Sequence, residues 1–110
     1  MKVAVYTHPE FERQFKRYRK KYHSLVDDYA AFLKTIKENP LSGVDLGNGV
    51  RKVRMGVASK RGGKSGGMRV ITYLLRQLDA ENIDVTLLYM YDKSEVGNIS
   101  DDFIAYLLKH

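Results

Sequence analysis

The segment spanning residues 50–75 (VRKVRMGVASKRGGKSGGMRVITYLL) constrains the fold most, because it reads as two β-strands joined by a loop of glycines and cations. Alternation in the first strand directs Val53 to one face of a sheet and its neighbours Lys52 and Arg54 to the opposite face. Arg69 opens the second apolar run, just after the loop. The segment therefore predicts a two-stranded unit with one apolar face and one face that carries cations.

These cations have no acidic partner close to them in the sequence. Between positions 46 and 78 there are eight Lys or Arg residues and no Asp or Glu, and the whole chain has a formal net charge of +6. An anion from outside the segment is the natural partner, and a polyanion such as RNA fits best. An acidic protein also fits, and a charge that serves only solubility is the remaining alternative.

The composition is that of a globular protein. With 110 residues, 44% hydrophobic and 29% charged, the chain suits one domain over 1–110 with a single modest core. The absence of Cys excludes disulfides, thiolate catalysis and Cys-based zinc sites. The sequence also shows no signal-peptide pattern and no apolar run of membrane-spanning length. We therefore expect a cytoplasmic protein with no membrane partner.

Hydrophobic periodicity predicts one strand and two helices in the first part of the chain. A strand over 2–7 is followed by a helix that begins near His8. A second helix begins at Ser24 and ends at Asn39, and the short break between the helices favours an antiparallel hairpin. The glycine-containing stretch 41–49 is predicted to be a loop.

The second part of the chain supplies most of the sheet. After the two strands of the basic segment, residues 83–91 (IDVTLLYMY) read as a third long strand. Ser100 is then predicted to cap a final helix. The predicted order is β-α-α-β-β-β-α, an α+β fold with a small antiparallel sheet of about four strands, an N-terminal helical hairpin and a C-terminal helix.

Two motifs, a phosphate-binding loop and a histidine metal site, are not supported by the sequence. Gly63-Lys64-Ser65 suggests a phosphate-binding P-loop, but that pattern requires glycine at position 58, which is Ala58, and a helix after Ser65. The glycines instead allow backbone N–H groups and Lys64 to approach phosphates, with a plain flexible hairpin loop as the alternative. The three His residues are not at metal-ligand spacing, so no metal or other cofactor is expected.

Metal-free RNA cleavage is the reaction that clustered cations can perform. The neighbouring 2′-hydroxyl is the nucleophile, and the site must stabilise the more negative phosphorane and protonate the leaving 5′-oxygen. Lys52 and Arg54 share a face of one strand and can supply that stabilisation. Crowded like charges favour a neutral amine, so Lys52 is also a candidate general base.

Further candidates come from the two following strands. Arg69 lies on the second strand of the basic segment, and Tyr91 and Lys93 share one parity at the end of the third strand. An aromatic ring beside the site can stack an unpaired base. Short connections favour these strands as neighbours, which would bring the candidates together. The structural alternative for Arg69 is an ion pair with Glu95 or Asp92.

Four stretches of the chain match one known pattern: THPEFERQFKRY, LGNGVRKVRM, GKSGGMRVITYLL and LLYMYDKSE. Together they resemble the RelE/ParE toxin superfamily, and most closely its HigB-like branch of ribosome-dependent mRNA interferases. The resemblance implies a toxin of a type II toxin–antitoxin system that enters the ribosomal A site and cuts mRNA there. It also implies a cognate antitoxin, HigA-like and with an acidic segment, and the ribosome and mRNA as the other partners.

The resemblance also assigns roles to individual positions. Those that match catalytic positions of the family are Lys52, Arg54, Arg69, Tyr91 and Lys93. Lys60, Arg61 and Lys64 match a loop that is variable in the family and are given RNA-backbone binding only. Arg51 is a further RNA-binding candidate, without a family match. The parity of Arg51 is opposite to that of Lys52, so a place on the other face of the sheet is its alternative. The C-terminal catalytic tyrosine of some relatives has no clear counterpart, since Tyr106 lies within a helix stripe.

Two hypotheses from other classes stay open. A ParE-like inhibitor of DNA gyrase would bind a protein without catalysis, and it has less need of paired cations. An inactive basic module would bind only RNA or an antitoxin. The endoribonuclease hypothesis requires that Lys52, Arg54 and Arg69 gather on an accessible patch of the sheet.

Overall fold

The structure, a computed structural model, describes residues 2–60, 67–76 and 81–110. These residues form, in order, β1 (Lys2–Thr7), α1 (Pro9–Lys21), α2 (Leu25–Glu38), β2 (Val44–Gly47), β3 (Val50–Met55), β4 (Met68–Arg76), β5 (Asn82–Asp92) and α3 (Asp101–Lys109). The α+β class predicted from the sequence is confirmed. None of the helices in this described part is long and apolar enough to cross a membrane.

One sheet contains all five of these strands, in the order β1-β5-β4-β3-β2. β5, β4, β3 and β2 pair antiparallel with their neighbours, but β1 runs parallel to β5. The sheet is therefore mixed, and the prediction of a purely antiparallel sheet was wrong in this detail. Parallel strands require a long crossover connection, and the whole of α1 to β4 lies between β1 and β5.

The stretch 41–49, predicted to be a loop, contains the strand β2. Val44 of β2 pairs with Lys52 of β3. A tight turn over 47–49 joins the two strands, and its residues have positive φ angles of 93°, 55° and 82°. Gly and Asn tolerate this left-handed region, which suits a hairpin. A strand of four residues, VDLG, is too short to show alternation, so the sequence pattern did not predict it.

The two faces of the sheet bury different clusters. The hairpin face packs on α1 and α2, and its buried cluster includes Phe11, Tyr18, Leu25, Phe32, Val53, Met55, Val70 and Met90. The α3 face packs on α3, and its buried cluster is Val50, Ile71, Leu88, Tyr91, Ile104 and Leu107. The helical hairpin itself is joined by aromatic contacts, with the ring centroids of Phe15 and Tyr29 4.9 Å apart.

The predicted helix starts are found, with one difference in hydrogen bonding. The side chains of His8 and Ser100 each accept a hydrogen bond from a backbone N–H in the first turn of α1 and α3. Ser24 precedes α2 as predicted, but its side chain makes no capping hydrogen bond. Its hydroxyl instead donates to the carboxylate of Asp28 at 2.6 Å. The oxygen of this hydroxyl accepts from the backbone N–H of Ser59 at 2.9 Å, so the acceptor that a helix cap would use is engaged by another segment.

Candidate active site

All five residues predicted to be catalytic line one cleft on the α3 face of the sheet. The cleft has a volume of about 190 Å³, and its lining residues are Val44, Lys52, Arg54, Arg69, Tyr91, Lys93 and Gly97. Sequence analysis did not identify Val44 and Gly97 as site residues. Val44 belongs to the short strand that the pattern missed, and Gly97 lies in the segment between β5 and α3.

Strand register explains why these residues converge. Arg69 of β4 pairs with Arg54 of β3 on one side and with Tyr91 of β5 on the other. Paired residues on adjacent strands point to the same face, so the three side chains form a row across the sheet. Lys52 lies two residues before Arg54 and therefore shares that face. The strands β3, β4 and β5 are therefore neighbours, as the short connections predicted.

The α3 face is divided between an apolar part and a cationic part. α3 packs on Val50, Ile71 and Leu88, at one end of this face. The row that contains Arg69 lies at the other end, where β4 begins. Tyr91 joins the two parts, because it lines the cleft and also belongs to the cluster under α3. The cleft is thus the part of the face next to the helix, where the strands present cations.

The cations of the cleft differ in burial. Arg54 and Lys93 are exposed and Lys52 is half-buried, whereas Arg69 is only 4% exposed. The Nη1 atom of Arg69 donates to the carbonyl oxygens of Gly67 and Met68, at 3.5 and 3.4 Å. Arg69 therefore provides a buried positive charge at the base of the cleft, beneath cations that are more exposed.

The proposed carboxylate partners of Arg69 are engaged by other groups. Asp92 accepts hydrogen bonds from Tyr22 and Ser94 and pairs with Lys60. Glu95 binds three side chains of α1, which are Arg17, Tyr18 and Lys21. These contacts lie on the hairpin side of β5, whereas Arg69 lines the cleft on the α3 face.

Tyr91 contributes a neutral phenol to the lining of the cleft. Its burial raises the pKa of the phenol, and the positive charge of Arg69 only partly opposes this. Because the ordinary pKa of tyrosine is about 10, the hydroxyl stays protonated at neutral pH. The side chain is 1% exposed and its ring stacks on Tyr89, with centroids 6.4 Å apart. This packing leaves little of the ring open to stacking by an RNA base.

Arg51 does not line the cleft. Its guanidinium donates to the carbonyl oxygens of Ser42 and Gly43, each at 3.1 Å, and lies 3.7 Å from the carboxylate of Asp45. The side chain thus fastens the segment around the start of β2 to β3. Its parity is opposite to that of Lys52, as the alternation indicated. These contacts support a structural role for Arg51 instead of RNA binding.

Lys60 also lies away from the cleft. Its Nζ atom is 3.4 Å from Oδ1 of Asp92, and the two side chains are 12% and 0% exposed. An ion pair this buried supports a role in holding the end of β5 instead of contact with an RNA backbone. Arg61 and Lys64 lie outside the described residues, as does most of the glycine-rich loop that was predicted to contact phosphates.

Three other tyrosines on the α3 side of the sheet are not among the residues that line the cleft. Tyr73 and Tyr89 are partly buried against the cluster under α3. Tyr106, considered and set aside as a catalytic tyrosine, is 49% exposed on α3 and stacks on His110 with centroids 4.5 Å apart. It is not among the residues that line the cleft.

The donor set of the cleft suits an anion. Its polar side chains are two lysines, two arginines and a phenol, whereas hard metal ions need carboxylate and other oxygen ligands. Among residues 2–60, 67–76 and 81–110, no group of three or more His, Cys, Asp or Glu is placed to hold a metal ion. A phosphate group fits the charge of this cleft.

The fold and the site together define a small α+β protein with a basic, phosphate-compatible cleft on its sheet. The profile of one protein family, described as the RelE toxin of the RelE/RelB toxin–antitoxin system, matches residues 10–109. The chain therefore belongs to the RelE toxin family. A search of curated proteins gives no match. Toxins of this family are generally endoribonucleases, and a RelE toxin implies an antitoxin partner of the RelB kind.

Proposed function

We propose that this toxin is a ribosome-dependent endoribonuclease, of the HigB-like kind, that cleaves mRNA in the ribosomal A site without a metal ion. The observation that carries the proposal is the convergence of Lys52, Arg54 and Arg69 with a tyrosine and a fourth cation on one cleft. Membership of the RelE family supports the same reaction. Action on ribosomes would place the protein in the cytoplasm.

The proposed reaction is an internal transesterification of RNA. The 2′-oxygen attacks the adjacent phosphorus, the bond from phosphorus to the 5′-oxygen breaks, and a 2′,3′-cyclic phosphate and a 5′-hydroxyl remain. Lys52 is the candidate base that takes the 2′-hydroxyl proton. Tyr91 is the candidate acid, because its protonated phenol can give a proton to the leaving oxygen.

Electrostatic stabilisation is the largest contribution that we expect from the cleft. The pentavalent phosphorane carries more negative charge than the diester, so fixed cations stabilise the transition state more than the substrate. Arg69 is buried and held by carbonyl groups, which means that little reorganisation is needed during the reaction. Arg54 and Lys93 are exposed and would close on the phosphate from the rim.

A cleavage assay on programmed ribosomes tests the proposal. Purified toxin should cut the mRNA of stalled ribosomes at sites in phase with the reading frame, and should leave the same RNA largely intact without ribosomes. The expected products carry a cyclic phosphate, which end mapping and enzymatic end repair can identify. Intact mRNA together with a DNA-damage response in expressing cells would contradict the proposal and favour gyrase inhibition. Harmless overexpression would favour an inactive binding module.

We also propose that the antitoxin partner is HigA-like and covers the basic surface with an acidic segment. The charge of +6 favours an acidic partner, and such a segment can be disordered alone and fold on binding. Gel filtration with the product of an adjacent reading frame should give a stable complex that dissociates more readily at high salt. Separate elution at low salt would contradict this pairing.

A further inference from the structure

The turn that follows β5 delivers Lys93 and Gly97 to the cleft, and two carboxylates fix it from the opposite side of the sheet. We call residues 92–97 the β5 turn. Asp92, fully buried, accepts a hydrogen bond from the hydroxyl of Tyr22 at 2.6 Å. Its other carboxylate oxygen accepts from the N–H and the hydroxyl of Ser94, at 2.9 and 2.7 Å.

The second carboxylate fastens the far end of the β5 turn to the same helix. Oε1 of Glu95 accepts from the hydroxyl of Tyr18 at 2.8 Å and from the guanidinium of Arg17 at 3.1 Å. Its Oε2 lies 3.3 Å from Nζ of Lys21. The oxygen of Tyr18 in turn accepts from the N–H of Asp92 at 3.1 Å, so one phenol contacts both ends of the turn.

The backbone closes the β5 turn on itself. The N–H groups of Glu95 and Val96 both donate to the carbonyl oxygen of Asp92, at 2.9 and 3.0 Å. Lys93 lies inside this closed turn, between the two anchored carboxylates. Its exposed side chain can therefore reach the cleft from a backbone whose position is set on both sides.

Both carboxylates are suited to act as charged anchors at neutral pH. The hydrogen bond from Tyr18 is the main reason why the pKa of Glu95 lies below its ordinary value. For Asp92, burial would raise the pKa, but the hydrogen bonds from Tyr22 and Ser94 and the charge of Lys60 outweigh it. Hydrogen bonds to ionised groups are shorter and stronger than neutral ones, so they fix geometry well.

We propose that Asp92 and Glu95, through Tyr18 of α1 and Tyr22 directly after it, are positioning residues that hold Lys93 where RNA cleavage needs it. The inference rests on the proposed function, because it concerns the same cleft. Neither carboxylate lines the cleft, and α1 is on the opposite face of the sheet. A small displacement of a catalytic group can cost about 100-fold in rate, so this remote network can govern catalysis.

The test uses conservative variants that remove one anchor each. Tyr18→Phe and Tyr22→Phe delete a hydroxyl and keep the ring, and Glu95→Gln removes a charge from an exposed residue. Tyr29→Phe is the matched control, because it deletes a hydroxyl from the same helical hairpin away from the β5 turn. Single-turnover cleavage on programmed ribosomes is measured for each variant, with its dependence on toxin concentration.

We expect each anchor variant to lower the maximal cleavage rate by about 10- to 100-fold at unchanged half-saturating toxin concentration. The control should keep the rate. In a Lys93→Ala background, the anchor variants should cause little further loss, because they act through the side chain that is already missing. Circular dichroism confirms that each variant is folded, and Glu95→Gln serves if a tyrosine variant is not.

The outcomes separate this inference from the proposed function. A wild-type chain that leaves mRNA intact would overturn both. A wild-type chain that cleaves, together with full rates for all three anchor variants, would overturn only the positioning role. Equal losses in the presence and absence of Lys93 would also overturn it, because they would indicate general destabilisation. Loss that disappears in the Lys93→Ala background supports the inference.

Discussion

The two faces of the sheet use cations in opposite ways. On the hairpin side, Lys60 is buried against Asp92, and two exposed cations of α1 bind Glu95. On the α3 face, Lys52, Arg54, Arg69 and Lys93 share one cleft, and none of its described lining residues is acidic. The first set satisfies internal charges. The second set lines a cleft whose charge suits an anion from outside the chain.

This contrast follows from how much of each face the helices cover. Two helices cover the hairpin face, so a polar group there is buried and needs a partner within the chain. One helix of nine residues covers the α3 face, so the strand ends beside it stay available to a ligand. We therefore expect the apolar cluster of the hairpin face to serve stability and the cleft to serve the proposed cleavage, with the β5 turn as the link between the two sides.

The largest effect is expected from removing the fixed charge of the cleft. Arg69→Met keeps much of the side-chain volume but removes the guanidinium, and it should slow cleavage by about 10²–10³-fold. Arg69→Lys should recover part of the rate because the charge returns. Single-turnover cleavage on programmed ribosomes measures both, with Lys37→Ala on the exposed surface of α2 as the control. A folded Arg69→Met variant with a wild-type rate would remove this residue from the site.

The next effect concerns stability and should come from the hairpin face. Leu25 is 0% exposed in the cluster beneath α1 and α2, so Leu25→Ala should lower the free energy of unfolding by about 2–5 kcal/mol. Urea denaturation measures the loss. At low temperature, where the variant is folded, its cleavage rate should stay close to wild type. A cleavage rate that falls in the folded variant would show that the apolar cluster, and not only the anchors of the β5 turn, affects the cleft.

A smaller effect should decide the role of Arg51. Arg51→Ala removes hydrogen bonds to two carbonyl oxygens and should lower the free energy of unfolding by roughly 1–3 kcal/mol. Its cleavage rate and its affinity for ribosomes should change little. The comparison with Lys52→Ala on the same strand is informative, because that variant should lose activity with little change in stability. Lost RNA affinity at unchanged stability would restore Arg51 as an RNA-binding residue.

The sequence predicted the parts of the molecule that depend on local pattern. Strict alternation around Val53 was sufficient to place Lys52 and Arg54 on one face, and short connections were sufficient to make β3, β4 and β5 neighbours. The pairing of β1 with β5 could not be read in this way. It joins strands at opposite ends of the chain, and no local pattern encodes that register.

The sequence also could not tell which cations have internal partners. Lys60 and Lys52 look alike in a basic segment, but only Lys60 meets a buried carboxylate, and that carboxylate is 32 positions further along the chain. The anchoring of Asp92 by Tyr22 spans 70 positions. Contacts of this range depend on the assembled fold, so the hydrogen bonds around Asp92 were not predicted, whereas the convergence of the candidate residues on one face was.

The smallest expected effect is a loss of stability at low pH, which arises from Asp92 and Glu95 of the β5 turn. The pKa of Glu95 lies below its ordinary value of 4.5, mainly because of the Tyr18 hydrogen bond. The folded state therefore holds this proton more weakly than the unfolded state does. Its contribution to stability is complete above the unfolded pKa and is lost as the pH falls through the folded pKa. Asp92 changes stability with pH in the same direction, since its pKa is also lowered.

Urea denaturation between pH 7 and pH 3 measures this dependence. Wild type should lose stability as the pH falls below about 4.5, the ordinary value for Glu95. Glu95→Gln should be less stable at pH 7 and should show a shallower decline, because one of the two linked carboxylates is gone. Glu38→Gln, at the exposed end of α2, should follow the wild-type curve. If the stability of Glu95→Gln falls as steeply with pH as that of wild type, the contacts between Glu95 and α1 contribute nothing to stability. The hairpin face would then be stabilised by its apolar cluster alone.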